Sequence, residues 1–244
     1  MTINNNLIEV IRLKTIANLP YFIHGIEIIP KNLKSIIEDG YETYNRNLGI
    51  LTVQKEDVFP PQVMKELPSD ITLLQLMRMS HQYEYVDLIV DSIRYFTDTD
   101  KLDLHEDVIR LGDVSLPYSS LEDMLQVIRV QNCIHRHMED EQFRPLNERA
   151  RLIQQKMLAN KKKIQELKKS SSNDEQLTLL DLISILVSNA NGINLFNVFD
   201  LNMFQFNDQF NRMKMIDEYE INIQALLHGA DSNHINIKHW MSKI

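Results

Sequence analysis

The chain is short of glycine. Six glycines in 244 residues is about a third of the usual frequency of roughly 7%. Phosphate-cradling loops and tight catalytic turns lean on glycine, and neither a G-x-G-x-x-G nor a P-loop pattern occurs. A nucleotide-dependent enzyme is therefore disfavoured. Cysteine is scarcer still: Cys133 is the only one, so no intrachain disulfide framework exists and a reducing compartment fits. No segment approaches the roughly 18 unbroken apolar residues of a membrane helix. The opening Met1-Thr2-Ile3-Asn4-Asn5-Asn6 lacks a basic region followed by an apolar stretch, so no signal peptide is expected and the cytoplasm is the expected location. Positive charge is also in deficit. Lys+Arg 26 against Asp+Glu 34 gives a net charge of −8, which argues against bulk nucleic-acid binding because phosphate contacts need positive surface.

What is present is mostly helical pattern, and the expected fold class is mainly α: a helical bundle with minor β-hairpins and a C-terminal helical hairpin. The length fits one large domain or two small ones. Pro145 is the last proline and divides a mixed, mostly helical region, 1–144, from an all-helical region, 145–244. In the first region, Tyr21-Phe22-Ile23, Gly25 and Ile26-Glu27-Ile28-Ile29 predict two short strands around a turn. Lys31 to Asp39 predicts a helix stopped by Gly40, and Tyr41 to Leu51 a second. Pro60, Pro61 and Pro68 mark a connector. Thr72 with Gln75 predicts a capping box. Helix is expected to continue from His81 to Phe96, with Tyr85, Leu88, Ile89, Ile93 and Phe96 spaced for one face. Val108 to Leu111, Gly112 and Val114 to Leu116 predict a hairpin. Ser119 with Glu122 predicts another capping box, opening a helix that runs to about Met138.

In the second region Leu146, Ala150, Ile153, Met157, Asn160, Ile164 and Leu167 alternate four and three apart, a heptad seam with one polar position. After the polar turn Ser170 to Asp174, Leu177 to Ala190 is apolar nearly all round and is expected to be buried, with Gly192 closing it. Phe199, Met203, Phe206, Phe210, Met213 and Ile216 repeat the alternation along a long helix to Leu227, capped by Gly229. Ile71 to Leu76 echoes Leu177 to Leu182, most simply as a chance match in a leucine-rich chain.

Few of these patterns carry chemistry. Cys133, His135, His137 and Glu139 alternate, but on a helix such residues point roughly 160° apart, and zinc ligands come as separated pairs. No metal and no cofactor are expected. Lys161, Lys162 and Lys163 make a basic arm with no interleaved aromatic residue for base stacking, so nucleic acid is not an expected partner and a solvated face beside the apolar seam is the simpler reading. No G-x-S-x-G elbow occurs, and no enzyme activity is expected. Residues Phe196 to Tyr219 gather phenylalanine and methionine, side chains suited to adaptable protein contacts. Five phenylalanines there cannot share one stripe, so a second helix or another chain must cover some. Trp240, the only tryptophan, either folds back with the tail or docks on a partner.

Two stretches resemble known proteins. Ile28 to Ile37, with Gly40-Tyr41 and Tyr44-Asn45, resembles the opening of tail morphogenesis proteins of phages infecting Gram-positive bacteria. Phe204-Gln205-Phe206-Asn207-Asp208-Gln209-Phe210, through Gly229-Ala230 to Ile237-Lys238-His239-Trp240, is similar to the end of tail assembly chaperones of such phages. The resemblance implies a chaperone in the host cell cytoplasm that coats the helical tape-measure protein, helps recruit tail-tube subunits and is absent from the mature virion. A baseplate or tail hub assembly or structural protein is the alternative, and a nucleic-acid-binding regulator using the lysine-rich helix is another. The expected protein-interaction residues are Met157, Lys161, Lys162, Lys163, Ile164 and Leu167 on the arm, Phe204, Phe206 and Phe210 on the long helix, and Lys238, His239 and Trp240 in the tail. The partners would be the tape-measure protein and tail-tube or baseplate proteins, with self-association as a further use of the same surfaces and no membrane.

Overall fold

A computed structural model describes residues 5–60, 62–63, 67–68, 71–99, 102–105, 108–134, 177–229 and 239–242. The chain forms two compact units. One comprises Met1–Ile134 with Asn189–Ile244, the other His135–Ser188. The fold is mainly helical with two small antiparallel sheets. The first arm of the expected C-terminal hairpin, residues 146–167, lies outside the described residues.

Helix α1 (Asn5–Ile16) opens the described chain. Its inner face holds Ile11 and Thr15, both fully buried, and Thr15 Oγ1 donates to the Ile11 carbonyl at 2.7 Å. Strands β1 (Tyr21–Ile23) and β2 (Ile26–Ile28) pair with Ile23 opposite Ile26. The two-residue turn between them has φ 51° at His24 and 80° at Gly25, as the twist of a tight hairpin requires. Tyr21, Ile26 and Ile28 turn inward. Asn32 then caps α2 (Leu33–Asp39) by accepting from Ser35 N at 2.8 Å, and Gly40, at φ 92°, passes the chain into α3 (Tyr41–Thr52). The short α4 (Lys55–Val58) precedes the proline-rich connector, in which Gln62 and Val63 are helical.

The Thr72–Gln75 box forms as expected at the head of α5 (Leu73–Met79). The helix expected over His81 to Phe96 forms from Tyr83, but it does not continue the preceding one. Ser80–Gln82 separates the two, and α6 (Tyr83–Thr97) starts afresh. The cause is a left-handed residue, His81 at φ 56°, which lets Gln82 N reach back to the Met77 carbonyl at 2.9 Å. This bond across six residues is the Schellman ending of a helix. A three-stranded meander follows: β3 (Leu102–Leu104), β4 (Val108–Leu111) and β5 (Val114–Pro117), in that spatial order. The sequence marked the second pair and not β3.

Helix α7 (Ser119–Gln131) departs from expectation at both ends. Tyr118 is its N-cap residue and makes no side-chain cap, so Ser119 sits one residue too far in to cap. Glu122 pairs instead with Arg129 at 2.6 Å. The helix ends at Gln131 rather than near Met138, because Cys133 is left-handed (φ 57°) and Ile134 N closes onto the Arg129 carbonyl at 2.8 Å. The proposed alternation of Cys133 with His135, His137 and Glu139 thus begins beyond the helix, and its last three members lie outside the described residues.

The core of this unit runs through Ile11, Ile28, Ile36, Tyr44, Ile93 and Met124. Each such side chain contributes about 1.5–3 kcal/mol by leaving water. Polar bonds fix the packing. Ser92 Oγ donates to Asn47 Oδ1 at 3.2 Å, Tyr44 OH to Asn132 Oδ1 at 2.7 Å, and Gln131 Nε2 to the Ile28 carbonyl at 3.1 Å.

Helix α8 (Leu179–Asn189) corrects a further expectation. It is not buried all round: Ile183 and Leu186 are buried, whereas Leu180 is 75% exposed. An apolar circumference permits burial, but burial needs a neighbour on every side. After Gly192 the chain enters a single 3-10 turn, Val198–Asp200, and then α9 (Met203–Leu227). Phe199 therefore belongs to the turn, and the alternation that included it spans a break.

Candidate protein-interaction surface

The head of α9 is tied to the N-terminal elements by asparagines. Asn202 is fully buried. Its Oδ1 accepts from Gln205 N at 2.9 Å, while Gln205 Oε1 accepts from Asn202 N at 2.9 Å, a reciprocal capping box. Its amide nitrogen also donates to the Thr15 carbonyl at 2.8 Å and to Asn18 Oδ1 at 3.0 Å. Gln205 Nε2 donates to the Ile16 carbonyl at 2.9 Å. Beside them Leu33 N donates to the Leu201 carbonyl at 2.8 Å, and Asn32 bridges to Asn202. A buried side chain with all its polar atoms engaged fixes one geometry, so the orientation of the first turns of α9 on α1 is set here.

This seating decides which aromatic groups remain available. Phe206 is 2% exposed and stacks on Phe210 at 6.2 Å; it is core within this chain. Phe204 and Phe210 are half-buried, and Phe199 is half-buried in the turn. Phe196 is different, being 95% exposed with Leu195 exposed beside it. Three bonds hold its loop in place: Asn194 N donates to Asn197 Oδ1 at 2.8 Å, Phe196 N to Asn194 Oδ1 at 2.9 Å, and Asn197 Nδ2 to the Gly192 carbonyl at 2.9 Å. An apolar ring in water on a pinned backbone loses little further backbone freedom when something covers it.

The tail returns to α9. Arg212 Nη1 donates to the Trp240 carbonyl at 2.5 Å and to the Ser242 carbonyl at 3.0 Å. His239 lies 5.0 Å from the Tyr219 ring and stacks on Trp240 at 5.8 Å. Of the two alternatives for the tail, fold-back is the arrangement present, although Trp240 keeps 40% of its surface exposed. Met157, Lys161, Lys162, Lys163, Ile164, Leu167 and Lys238 lie outside the described residues.

Burial pushes the Cys133 thiol up to about 11, against a smaller lowering by Asn207, so at neutral pH it is a thiol rather than a nucleophile. Asp181 is held below its ordinary value by hydrogen bonds from Thr178, whose Oγ1 and N donate to it at 2.6 and 2.8 Å; this is a helix cap. Among the described residues no cluster of metal-ligating side chains occurs, and no helix is long and apolar enough to cross a membrane.

The loop, α9 and the tail fall within one family match. A family model described as the YomV second domain matches residues 168–244, about a third of the chain. That family is phage-derived, of the Bacillus phage SPbeta-like kind. No curated protein and no solved structure matches the chain. The expected interaction residues omitted Leu195 and Phe196. The signal that could have found them is Asn194-x-x-Asn197, a local capping pattern beside an apolar pair.

Proposed function

We propose that the chain is a phage tail assembly chaperone that binds the tape-measure protein and helps recruit tail-tube subunits. It would act in the host cell cytoplasm and be absent from the finished particle. The observation that carries this reading is Phe196, almost wholly exposed on a pinned loop inside the segment that matches a phage-derived family. Aromatic anchors supply much of the energy at protein interfaces, and a tape-measure helix would offer an apolar stripe to receive one. In this reading the seam at Met157, Ile164 and Leu167 forms one arm of a helical hairpin within a bundle and adds a second helix-on-helix contact. No nucleotide and no metal is required.

The experiment is co-expression with the phage's tape-measure protein. The parent chain should co-purify with it, and Phe196→Ser should cut recovery at least tenfold. Its melting temperature should stay close to the parent's, since an exposed side chain contributes little to folding. Failure of the parent to co-purify, or full recovery with Phe196→Ser, would remove the basis of the reading. Retention on DNA at moderate salt would move it to the nucleic-acid alternative.

A further inference from the structure

A groove of about 320 Å³ opens where α5 gives way to α6, lined by Ile71, Gln75, Arg78, Met79 and Tyr83. Gln75, Arg78 and Met79 are three and four apart on α5, so they share one face of that helix. Met79 and Tyr83 are exposed and give the groove an apolar side. Two of the lining side chains are held at one end and have donors left over. Gln75 Oε1 accepts from Thr72 N at 3.0 Å and from Thr72 Oγ1 at 3.1 Å. That fixes the amide, and its Nε2 makes no hydrogen bond to a described residue. Arg78 Nη1 donates to the His105 carbonyl at 2.5 Å and to Tyr118 OH. Tyr118 is 2% exposed and itself donates to the His105 carbonyl at 2.9 Å. Its ring centre lies 5.8 Å from the guanidinium carbon.

Arg78 is thus clamped through one nitrogen by neutral groups alone. No described carboxylate pairs with it, and its Nε and Nη2 make no hydrogen bond to a described residue. A guanidinium carries five N–H donors in a fixed fork and matches a carboxylate better than any neutral acceptor. A second cation stands at the same end of the groove, since Lys55 Nζ donates to the carbonyl of Ile71 at 3.1 Å. We propose that this groove binds a carboxylate carried on an apolar body. The carboxylate oxygens would accept from Gln75 Nε2 and Arg78, and the body would lie on Met79 and Tyr83. Both donors are already oriented, so binding orders little that was free. The net charge of −8 repels anions at large, which makes such binding a property of these local donors. The inference is independent of the tail-assembly reading, because it uses neither Phe196 nor α9.

The test is calorimetric titration of the full chain at moderate salt with phenylacetate, its neutral amide and acetate. Two further probes are a short peptide ending in a free phenylalanine carboxylate and the same peptide amidated. Phenylacetate or the free-ended peptide should bind, and the matching amide at least about tenfold more weakly. Acetate, which has no apolar body, should bind more weakly than phenylacetate. Tighter binding of the peptide than of phenylacetate assigns the carboxylate to a chain terminus; the reverse order assigns it to a small free acid. Gln75→Glu keeps the acceptor that completes the capping box with Thr72 and puts a carboxylate where the donor was. It should weaken binding at least about tenfold while the urea midpoint stays at or above the parent's. Tyr83→Ala, at an exposed position, should weaken binding about threefold by removing apolar area. Absence of binding by both acids would overturn the proposal. So would amides that bind as tightly as the acids, or Gln75→Glu leaving the affinity within about twofold.

Discussion

Scarcity of glycine leaves its mark at single residues. Among the described residues three helices end with a bond across six residues around a left-handed residue that is not glycine. Asn18 (φ 54°), His81 (φ 56°) and Cys133 (φ 57°) take the position, with Leu19, Gln82 and Ile134 closing onto Lys14, Met77 and Arg129. A side chain in that conformation costs about 1–2 kcal/mol, less for asparagine. His81→Gly should therefore raise stability by about 0.5–1 kcal/mol, seen as a higher urea midpoint at unchanged slope. A fall instead would show that the His81 Nδ1 contact with Tyr83 OH at 3.1 Å outweighs the backbone relief. Cys133 makes a separate prediction. Its thiol rises from 9.0 to about 11, so the folded state holds the proton more tightly than the unfolded one. Its contribution is complete below the unfolded value and is lost as pH climbs toward 11. Alkylation by iodoacetamide at pH 8 should run about a hundredfold slower than in urea-unfolded chain, since the thiolate is the reacting form. The Cys133→Ala variant should lack the corresponding loss of stability above pH 9.

At the scale of elements, capping decides what the sequence made legible. Thr72 with Gln75 was readable and forms. Thr178 with Asp181 forms the same box, which gives the echo between Ile71–Leu76 and Leu177–Leu182 a physical content: two capped helix starts followed by leucines. Asn202 with Gln205 forms a third, hidden because the four-and-three spacing from Phe199 runs through it. Ser119 with Glu122 has the pattern without the bond, since the phase of the preceding strand decides which residue becomes the cap. The short hairpins were visible in their turns, whereas β3, at three residues, is too short to show an alternation. Phe196 was invisible as a site because composition does not distinguish an exposed phenylalanine from a core one. Asn202→Ala removes a cap together with two buried bonds, to Asn18 Oδ1 and to the Thr15 carbonyl, which keeps only Asn18 N as donor. The expected loss is about 2–4 kcal/mol, measured by urea unfolding; a loss under about 0.5 kcal/mol would contradict the role given to Asn202. Arg212→Ala should release the tail while leaving the melting temperature within a degree or two. Trp240 is the sole tryptophan, so its emission should shift to the red, and an unchanged spectrum would mean that the two carbonyl bonds do not hold it.

For the molecule as a whole, the unit that contains the core is assembled from two distant lengths of chain, Met1–Ile134 and Asn189–Ile244. A fragment ending at residue 134 should therefore exchange its α1 and α2 amides faster and unfold at lower urea than the full chain. Equal protection would mean that the later segment adds nothing to the earlier one. The contacts that join them, Leu33 with Leu201 and Asn32 with Asn202, also fix an order of events in the cell. At synthesis rates of about 5–20 residues per second, the roughly 170 residues separating each pair take on the order of ten to thirty seconds to emerge. During that interval the end of α1 and the start of α2 stand without their cover, and only the emergence of Leu201 and Asn202 can close them. A nascent chain stalled before residue 202 would present this face to anything nearby, so the maturity of the protein is registered at its own N-terminus.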